Sequence, residues 1–356
     1  MKRHLITIIT AFTFCILNAQ VKWINSIYDF GAFSEDLAAV DATFKFVNES
    51  DKPIRVIDAR ATCGCTQPKL PKTDVEPGDT AEIKVTYLAA GRPGKFSKNI
   101  YVKISDKPSE NRTLTVNGTV IGSVRTLSSR YPIAAGSMRL KSNNAAFGEV
   151  TRGKLKTIYL EAYNMTADTL YPQLNNLPEF IDANIRPNAV APGEQAHVSL
   201  TLQSTKVPDW GISKGEFTFI ANENEEPIQI DYFTIITEDF NKLTPGQRIK
   251  APIASADPHR IDLGEVPATE IIEVEFKVKN SGQSPLIIRR LQTSDDVIVN
   301  AYISKTKIGP NKSAKVKITI DPSKATTDFI STQVLLINND PENSLLVERI
   351  TAEIIR

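Results

Sequence analysis

Val40-Asp41-Ala42-Thr43-Phe44-Lys45-Phe46-Val47-Asn48 is the stretch on which the fold turns. Val40, Ala42, Phe44 and Phe46 recur with a period of two, the signature of a β-strand with one buried face and not of a helix. The strand stops at Asn48, and Asn48-Glu49-Ser50-Asp51-Lys52-Pro53-Ile54 reads as a reversal, because asparagine tolerates left-handed backbone and proline sets φ. Ile54 and Val56 resume the apolar pattern. Beyond the Pro77-Gly78 corner come Ile83, Val85 and Tyr87, then Ile100, Val102 and Ile104, then Leu114, Val116, Gly118 and Val120.

The same markers return twice. Asn48-Glu49-Ser50 is matched by Asn164-Met165-Thr166 and Asn280-Ser281-Gly282, with 116 residues between successive asparagines. Phe30-Gly31, Phe147-Gly148 and Leu263-Gly264 precede them, and Pro77-Gly78, Pro192-Gly193 and Gly309-Pro310 follow 28 to 30 residues after the asparagine. Three markers that keep order and spacing in three units define an internal repeat. Strand patterns recur with it: Ile158, Leu160 and Ala162, Val198, Leu200 and Leu202, then Phe217 and Phe219 in the middle unit. The last unit has Ile272, Val274, Phe276 and Val278, Val316, Ile318 and Ile320, then Ile350, Ala352 and Ile354. About seven short strands in roughly 100 residues, parted by Gly, Pro, Asn and Asp turns, predict an immunoglobulin-like β-sandwich. The expectation is an all-β chain of three tandem sandwich domains, at 21–122, 140–240 and 256–356. No amphipathic helix is expected.

Composition agrees and narrows the function. The 356 residues carry 42 Lys and Arg against 41 Asp and Glu, so no basic field exists to hold a nucleic acid. At the start, Lys2 and Arg3 precede an apolar run from Leu5 to Leu17 and the small residue Ala19, which reads as a secretory signal peptide over 1–19. The run falls short of the roughly 20 apolar residues that a membrane span needs. Cys15 follows Phe14, which does not suit a lipid-modified cysteine, and belongs to the signal. Removal of Lys2 and Arg3 leaves 40 positive against 41 negative side chains, a charge of −1. The expected mature protein has no membrane-spanning segment and resides in the periplasm, at the outer membrane or outside the cell.

The chemical oddity is Ala61-Thr62-Cys63-Gly64-Cys65-Thr66. At the same offset of 15 after the asparagine, the other units have Glu179 and Asp295. Cysteines two apart on an extended chain point the same way, with Cα atoms about 5.5 to 7 Å apart, which a disulfide permits. Four readings stand: a local oxidised clip, a redox-active pair, two thiolates for a soft monovalent copper ion, and a free or partner-linked pair. Zinc is disfavoured, since two ligands are half of a structural site and neither His197 nor His259 belongs to this unit. No catalytic motif is present, so no enzyme, metal or cofactor is expected.

Other polar features are loops and surfaces. Gly91-Arg92-Pro93-Gly94-Lys95-Phe96 and its counterpart Pro208-Asp209-Trp210-Gly211 read as end loops, which makes Arg92, Lys95, Phe96 and Trp210 binding candidates. His197 falls on the polar face of its strand, and His259 reads as linker. Asp79-Thr80-Ala81 and Asp168-Thr169-Leu170 resemble acceptor triplets for O-linked glycans.

Phe44-Lys45-Phe46-Val47-Asn48, Pro53-Ile54-Arg55-Val56, Cys63-Gly64-Cys65-Thr66, Val75-Glu76-Pro77-Gly78-Asp79 and Gly91-Arg92-Pro93-Gly94-Lys95-Phe96, in that order, resemble the domain of unknown function 1573 family over residues 30–122. The other units resemble it more loosely, along with Hydin-type and major-sperm-protein-like domains, and depart from it in lacking both cysteines. The resemblance implies a secreted or envelope protein of immunoglobulin-like fold and no established reaction. The expected function is non-enzymatic binding or scaffolding of an envelope protein or glycan. Thiol-disulfide or copper handling through Cys63 and Cys65 is one alternative, and a periplasmic chaperone another.

Overall fold

The computed structural model describes residues 21–71, 74–104, 111–258, 260–295 and 298–355. The expected signal peptide with Cys15, and His259, lie outside them. The described chain is all-β, with helix confined to short pieces such as Val124–Leu127 and Pro245–Ile249. It packs as two compact units. Of the described residues, the first holds those up to Ser129 together with Asn164–Thr169 and Ala191–Glu194; the second holds Arg130–Tyr163, Leu170–Val190 and those from Gln195 onward.

In the first unit the strands are β1 (Val21–Trp23), β2 (Ile27–Ser34), β3 (Ala39–Asn48), β4 (Val56–Ala61), β5 (Thr66–Lys69), β6 (Thr80–Leu88), β7 (Gly94–Ile104) and β8 (Arg112–Ile121). They form two four-stranded sheets, in the orders β1-β3-β6-β5 and β2-β8-β7-β4. The alternation read from Val40 to Phe46 is that of β3, which pairs antiparallel with β6 so that Phe44 faces Ile83 and Phe46 faces Ala81. Phe44, Phe46, Ile83 and Val85 of one sheet meet Ile100, Val102, Leu114 and Val116 of the other in one core. Phe44 and Phe46 are wholly buried, and each contributes about 1.5–3 kcal/mol by leaving water.

The second unit contains two further sheet pairs, each with its own core. One pair begins with Ile133–Ala135 and has Leu160, Val198, Phe217 and Ile230 at its centre; the other begins with Ala254–Asp257 and centres on Val278, Val316, Val334 and Leu346.

One pairing rule recurs and is invisible in the apolar pattern. β2 runs parallel to β8, Asn144–Thr151 parallel to Ile228–Thr237, and Arg260–Pro267 parallel to Leu345–Ile355. Each of these ladders shifts register at the glycine marker, where Gly31, Gly148 and Gly264 take φ of +65°, +63° and +60°. The marker glycines therefore form bulges in strands that pair along one side, conformations that a Cβ disfavours. Asp29 and Asp262 support two of them, accepting from the N–H of Gly31 at 2.8 Å and of Gly264 at 3.2 Å.

The marker asparagines correct a sequence expectation. Asn48, Asn164 and Asn280 do not adopt left-handed backbone; they end strands and are wholly buried. Their amides hold the turn instead. Asn48 Nδ2 donates to Lys52 O and Val75 O, both at 2.8 Å, and its Oδ1 accepts from Ser50 N–H at 2.9 Å. Asn280 repeats this with Ser284 O at 2.8 Å, Ile308 O at 3.0 Å and Gly282 N–H at 3.0 Å. Asn164 Nδ2 donates to Asp168 O and its Oδ1 accepts from Thr166 N–H. The left-handed residue sits at the following corner: Gly78, Gly193 and, in the third repeat, Asn311 after Pro310.

Candidate functional site

The sequence Thr62-Cys63-Gly64-Cys65 bridges β4 and β5 at one end of the first unit. Thr62 N–H donates to Asn99 O at 3.0 Å, Thr66 N–H to Cys63 O at 3.2 Å, and Leu88 N–H to Cys65 O at 2.8 Å. The loop is thus tied to β7 and to the end of β6. Cys63 and Cys65 form a disulfide with Cα atoms 5.3 Å apart. Cys63 is half-buried, Gly64 exposed, and Cys65 only 8% exposed.

Beneath the sulfurs lies an aromatic floor. Cys65 packs with Tyr87, Ala89 and Val120, ringed by Phe30, Phe33, Val40 and Phe96. Tyr87 and Phe96 stack with centroids 3.8 Å apart and planes 6° apart, and Phe33 meets Phe96 edge-on at 6.1 Å. Phe96 pairs across the sheet with Gly118, where a Cβ would stand 3.0 Å from the ring. Glycine there leaves the aromatic room to lie flat on the sheet. Burial raises the Tyr87 phenol above its usual pKa, opposed in part by the charge of Arg92.

Buried Glu35 fixes the adjoining loop. Its carboxylate accepts from Gly91 N–H at 2.6 Å, Ser123 N–H at 2.8 Å and the Thr126 hydroxyl at 3.0 Å. Burial by itself raises this carboxyl, but the N–H groups of Ser123 and Gly91 and the Thr126 hydroxyl outweigh it. The pKa ends below the ordinary carboxylate value.

The residues singled out in the sequence fare differently. Cys63, Cys65 and Phe96 share one apolar cluster. Lys95 and Phe96 are strand residues, since β7 starts at Gly94; Phe96 is turned into the cluster, and Lys95 pairs with Glu194 at 2.7 Å. Arg92 is exposed in the loop and donates from Nη1 to Ala90 O at 2.9 Å. Trp210 lies in the second unit, half-buried against that unit's core, with the Arg152 guanidinium 4.4 Å and the Arg289 guanidinium 5.7 Å from its centroid. Its ring is occupied by cation–π contacts within the chain. His197 is exposed, as are Thr80 and Thr169 of the two triplets. Phe30, Phe33 and Tyr87 were not singled out as site residues; the glycine after Phe30 and the alternation through Tyr87 mark strands, but nothing local brings these strands together.

The arrangement limits the chemistry. In the disulfide neither sulfur is a thiolate, so a soft metal ion finds no ligand here until the bond is reduced. Among the described residues no group of three or more His, Cys, Asp or Glu is placed to hold a metal ion. The clip closes a loop over one intervening residue, so chain entropy makes it worth about 1.6 kcal/mol, roughly half of what a 15-residue loop yields. No helix among the described residues is long and apolar enough to cross a membrane.

Comparison with curated proteins finds no match. Among solved structures, the chain is similar to a protein of unknown function from Porphyromonas gingivalis W83, at 18% identity and a TM-score of 0.49, covering 61% of this chain and 100% of that one. It is similar also to human CDH23 EC21-23, at 10% identity and TM-score 0.27, over 94% of this chain and 100% of that one. The Pseudomonas aeruginosa CupB2 chaperone is similar at 11% identity and TM-score 0.22, over 59% and 98% respectively. No function transfers at these scores. The family model for "Protein of unknown function (DUF1573)" matches residues 21–120 and 254–354, the first and last repeats, and passes over the middle one. With more than half of its length matched, the chain belongs to the DUF1573 family.

Proposed function

We propose that this chain is a non-enzymatic binding or scaffolding protein of the cell envelope, exported by the signal at 1–19 and built of three sandwich domains that contact a protein or glycan. One observation carries the reading: a sheet edge left open in regular register. Among the described residues Val299–Ile303 pairs as a strand with Ser313–Ile320 alone, with no bulge; Asp295 O and the Thr293 hydroxyl cover the outer side of Val299, and the open stretch is Ala301 to Ile303, with Tyr302 at 69% exposure. A bulge-free edge strand offers unpaired backbone groups to an added strand, and an exposed tyrosine beside it supplies an amphipathic anchor. Ile57 is also exposed on an edge strand, β4 of the first unit, but there the ladder shifts register at Ile57, so the bulge-free edge is that of Val299–Ile303.

The test is a photo-crosslinking residue placed at Tyr302 in the native cell. A discrete adduct in the envelope fraction, lost when Ala301→Pro blocks strand addition, supports the reading. Chain recovered from the cytosol, or no adduct from either Tyr302 or Ile57, overturns it.

A further inference from the structure

We propose that the Cys63–Cys65 disulfide is a thiol–disulfide exchange site, opened by a dithiol that attacks Cys63. The inference does not depend on the binding role proposed above.

Three features of the site converge. The sulfurs differ in access: Cys63 is half-buried at the surface, whereas Cys65 is held against Tyr87, Ala89 and Val120, so an incoming thiolate reaches Cys63. Donors are already aimed at the sulfurs. Cys65 N–H donates to Cys63 Sγ at 3.2 Å, and the Thr66 hydroxyl, itself buried, stands 3.8 Å from Cys63 Sγ and 3.7 Å from Cys65 Sγ. Cys65 N–H favours a thiolate on Cys63, the leaving group of the resolving step, and the Thr66 hydroxyl reaches either sulfur. The loop, finally, is anchored without the bond: Thr62 N–H donates to Asn99 O of β7, Cys65 O accepts from Leu88 N–H of β6, and Thr66 N–H closes the turn on Cys63 O. Opening the clip leaves those ties in place, and a loop over one intervening residue adds little to the fold.

The exchange balances. One thiolate of the dithiol attacks Cys63 Sγ; the bond to Cys65 Sγ breaks, and its electron pair leaves on Cys65, which takes up a proton. The second thiol of the reductant, as thiolate, attacks its own mixed-disulfide sulfur and releases Cys63 as a thiolate facing Cys65 N–H and Thr66 Oγ1. The dithiol is oxidised by two electrons and the Cys63–Cys65 pair is reduced by two. Thr66 is a positioning residue in this scheme.

The experiment uses the full mature chain and dithiothreitol as the probe. Under native conditions millimolar dithiothreitol should open the bond completely, read by mass after an alkylating quench, while circular dichroism stays unchanged. A bond that opens only in denaturant overturns the proposal. Single variants then test direction. Cys63 in Cys65→Ser should react with iodoacetamide at least about tenfold faster than Cys65 in Cys63→Ser. Equal or reversed rates overturn the assignment of Cys63. In the Cys65→Ser background, Thr66→Val should raise the pH midpoint of Cys63 alkylation; an unmoved midpoint removes Thr66 from the scheme. If the single variants fail to fold, reduction of the unaltered chain still decides whether the bond exchanges.

Discussion

At the scale of the residue, the buried asparagines are the most exacting positions. Each ties a turn together with several hydrogen bonds from one buried side chain, and truncation of Asn48 removes its bonds to Lys52 O, Val75 O and Ser50 N–H at once, although Val75 O keeps the bond from Ile54 N–H. Asn48→Ala should therefore destabilise the first unit by about 2–4 kcal/mol, measured by urea unfolding. Glu35 gives a pH dependence of definite sign. Its folded pKa lies below the unfolded value, so its contribution is present above the unfolded carboxylate range, near about 4.3, and is lost as the pH falls through the folded pKa. The melting temperature should drop on acidification below that range, and Glu35→Gln should flatten that part of the profile while lowering stability at neutral pH. Spacing alone exposed Asn48, Asn164 and Asn280 as a repeat, yet their job was misread, because a one-dimensional pattern cannot distinguish an unusual backbone angle from a side chain that bonds to carbonyls 4 and 27 residues away.

At the scale of the element, alternation identified the strands and the faces they bury, since period two follows directly from the pleat. Strand direction was not legible, because apolar periodicity is the same for parallel and antiparallel neighbours. The bulge glycines make that parallel pairing possible. Gly31→Ala, at φ +65° with nothing within 4 Å of the added methyl, tests backbone strain alone and should cost about 1–2 kcal/mol by denaturant titration. The aromatic floor was likewise hidden: Phe30, Phe33, Tyr87 and Phe96 sit on β2, β6 and β7, and only the closing of two sheets over one another collects them under the disulfide. Gly118→Ala, which sets a methyl against the Phe96 ring, should displace the Tyr87–Phe96 stack and lower stability by about 1–3 kcal/mol, with a changed near-ultraviolet tyrosine signal.

At the scale of the whole molecule, the second unit joins two sandwich cores through specific contacts. Ile212 N–H donates to Gln292 Oε1 at 2.6 Å, Gln292 Nε2 donates to Ile212 O at 3.2 Å, and Arg289 grips Glu238 with two bonds of 3.0 Å. Gly211, at φ +82°, admits this approach, because a Cβ there would strike Gln292 and Ile337. The double variant Gln292→Ala, Arg289→Ala should split the calorimetric transition of the second unit into two, through loss of about 0.5–3 kcal/mol of coupling. A single transition in the variant would show that these contacts do not link the two cores.

The parallel pairing of β2 with β8 also has a mechanical meaning. The chain reaches the start of β2 from β1, whose three residues pair with β3, and departs from the end of β8; once those three pairs part, tension applied through the backbone drags the parallel β2 and β8 along their axes in opposite senses. Such a load strains the rungs from Ile27–Thr115 to Ser34–Ile121 simultaneously instead of peeling them one after another. Geometry of that kind makes a sandwich a shear-bearing link, able to hold against stretching forces far better than its equilibrium stability alone would indicate.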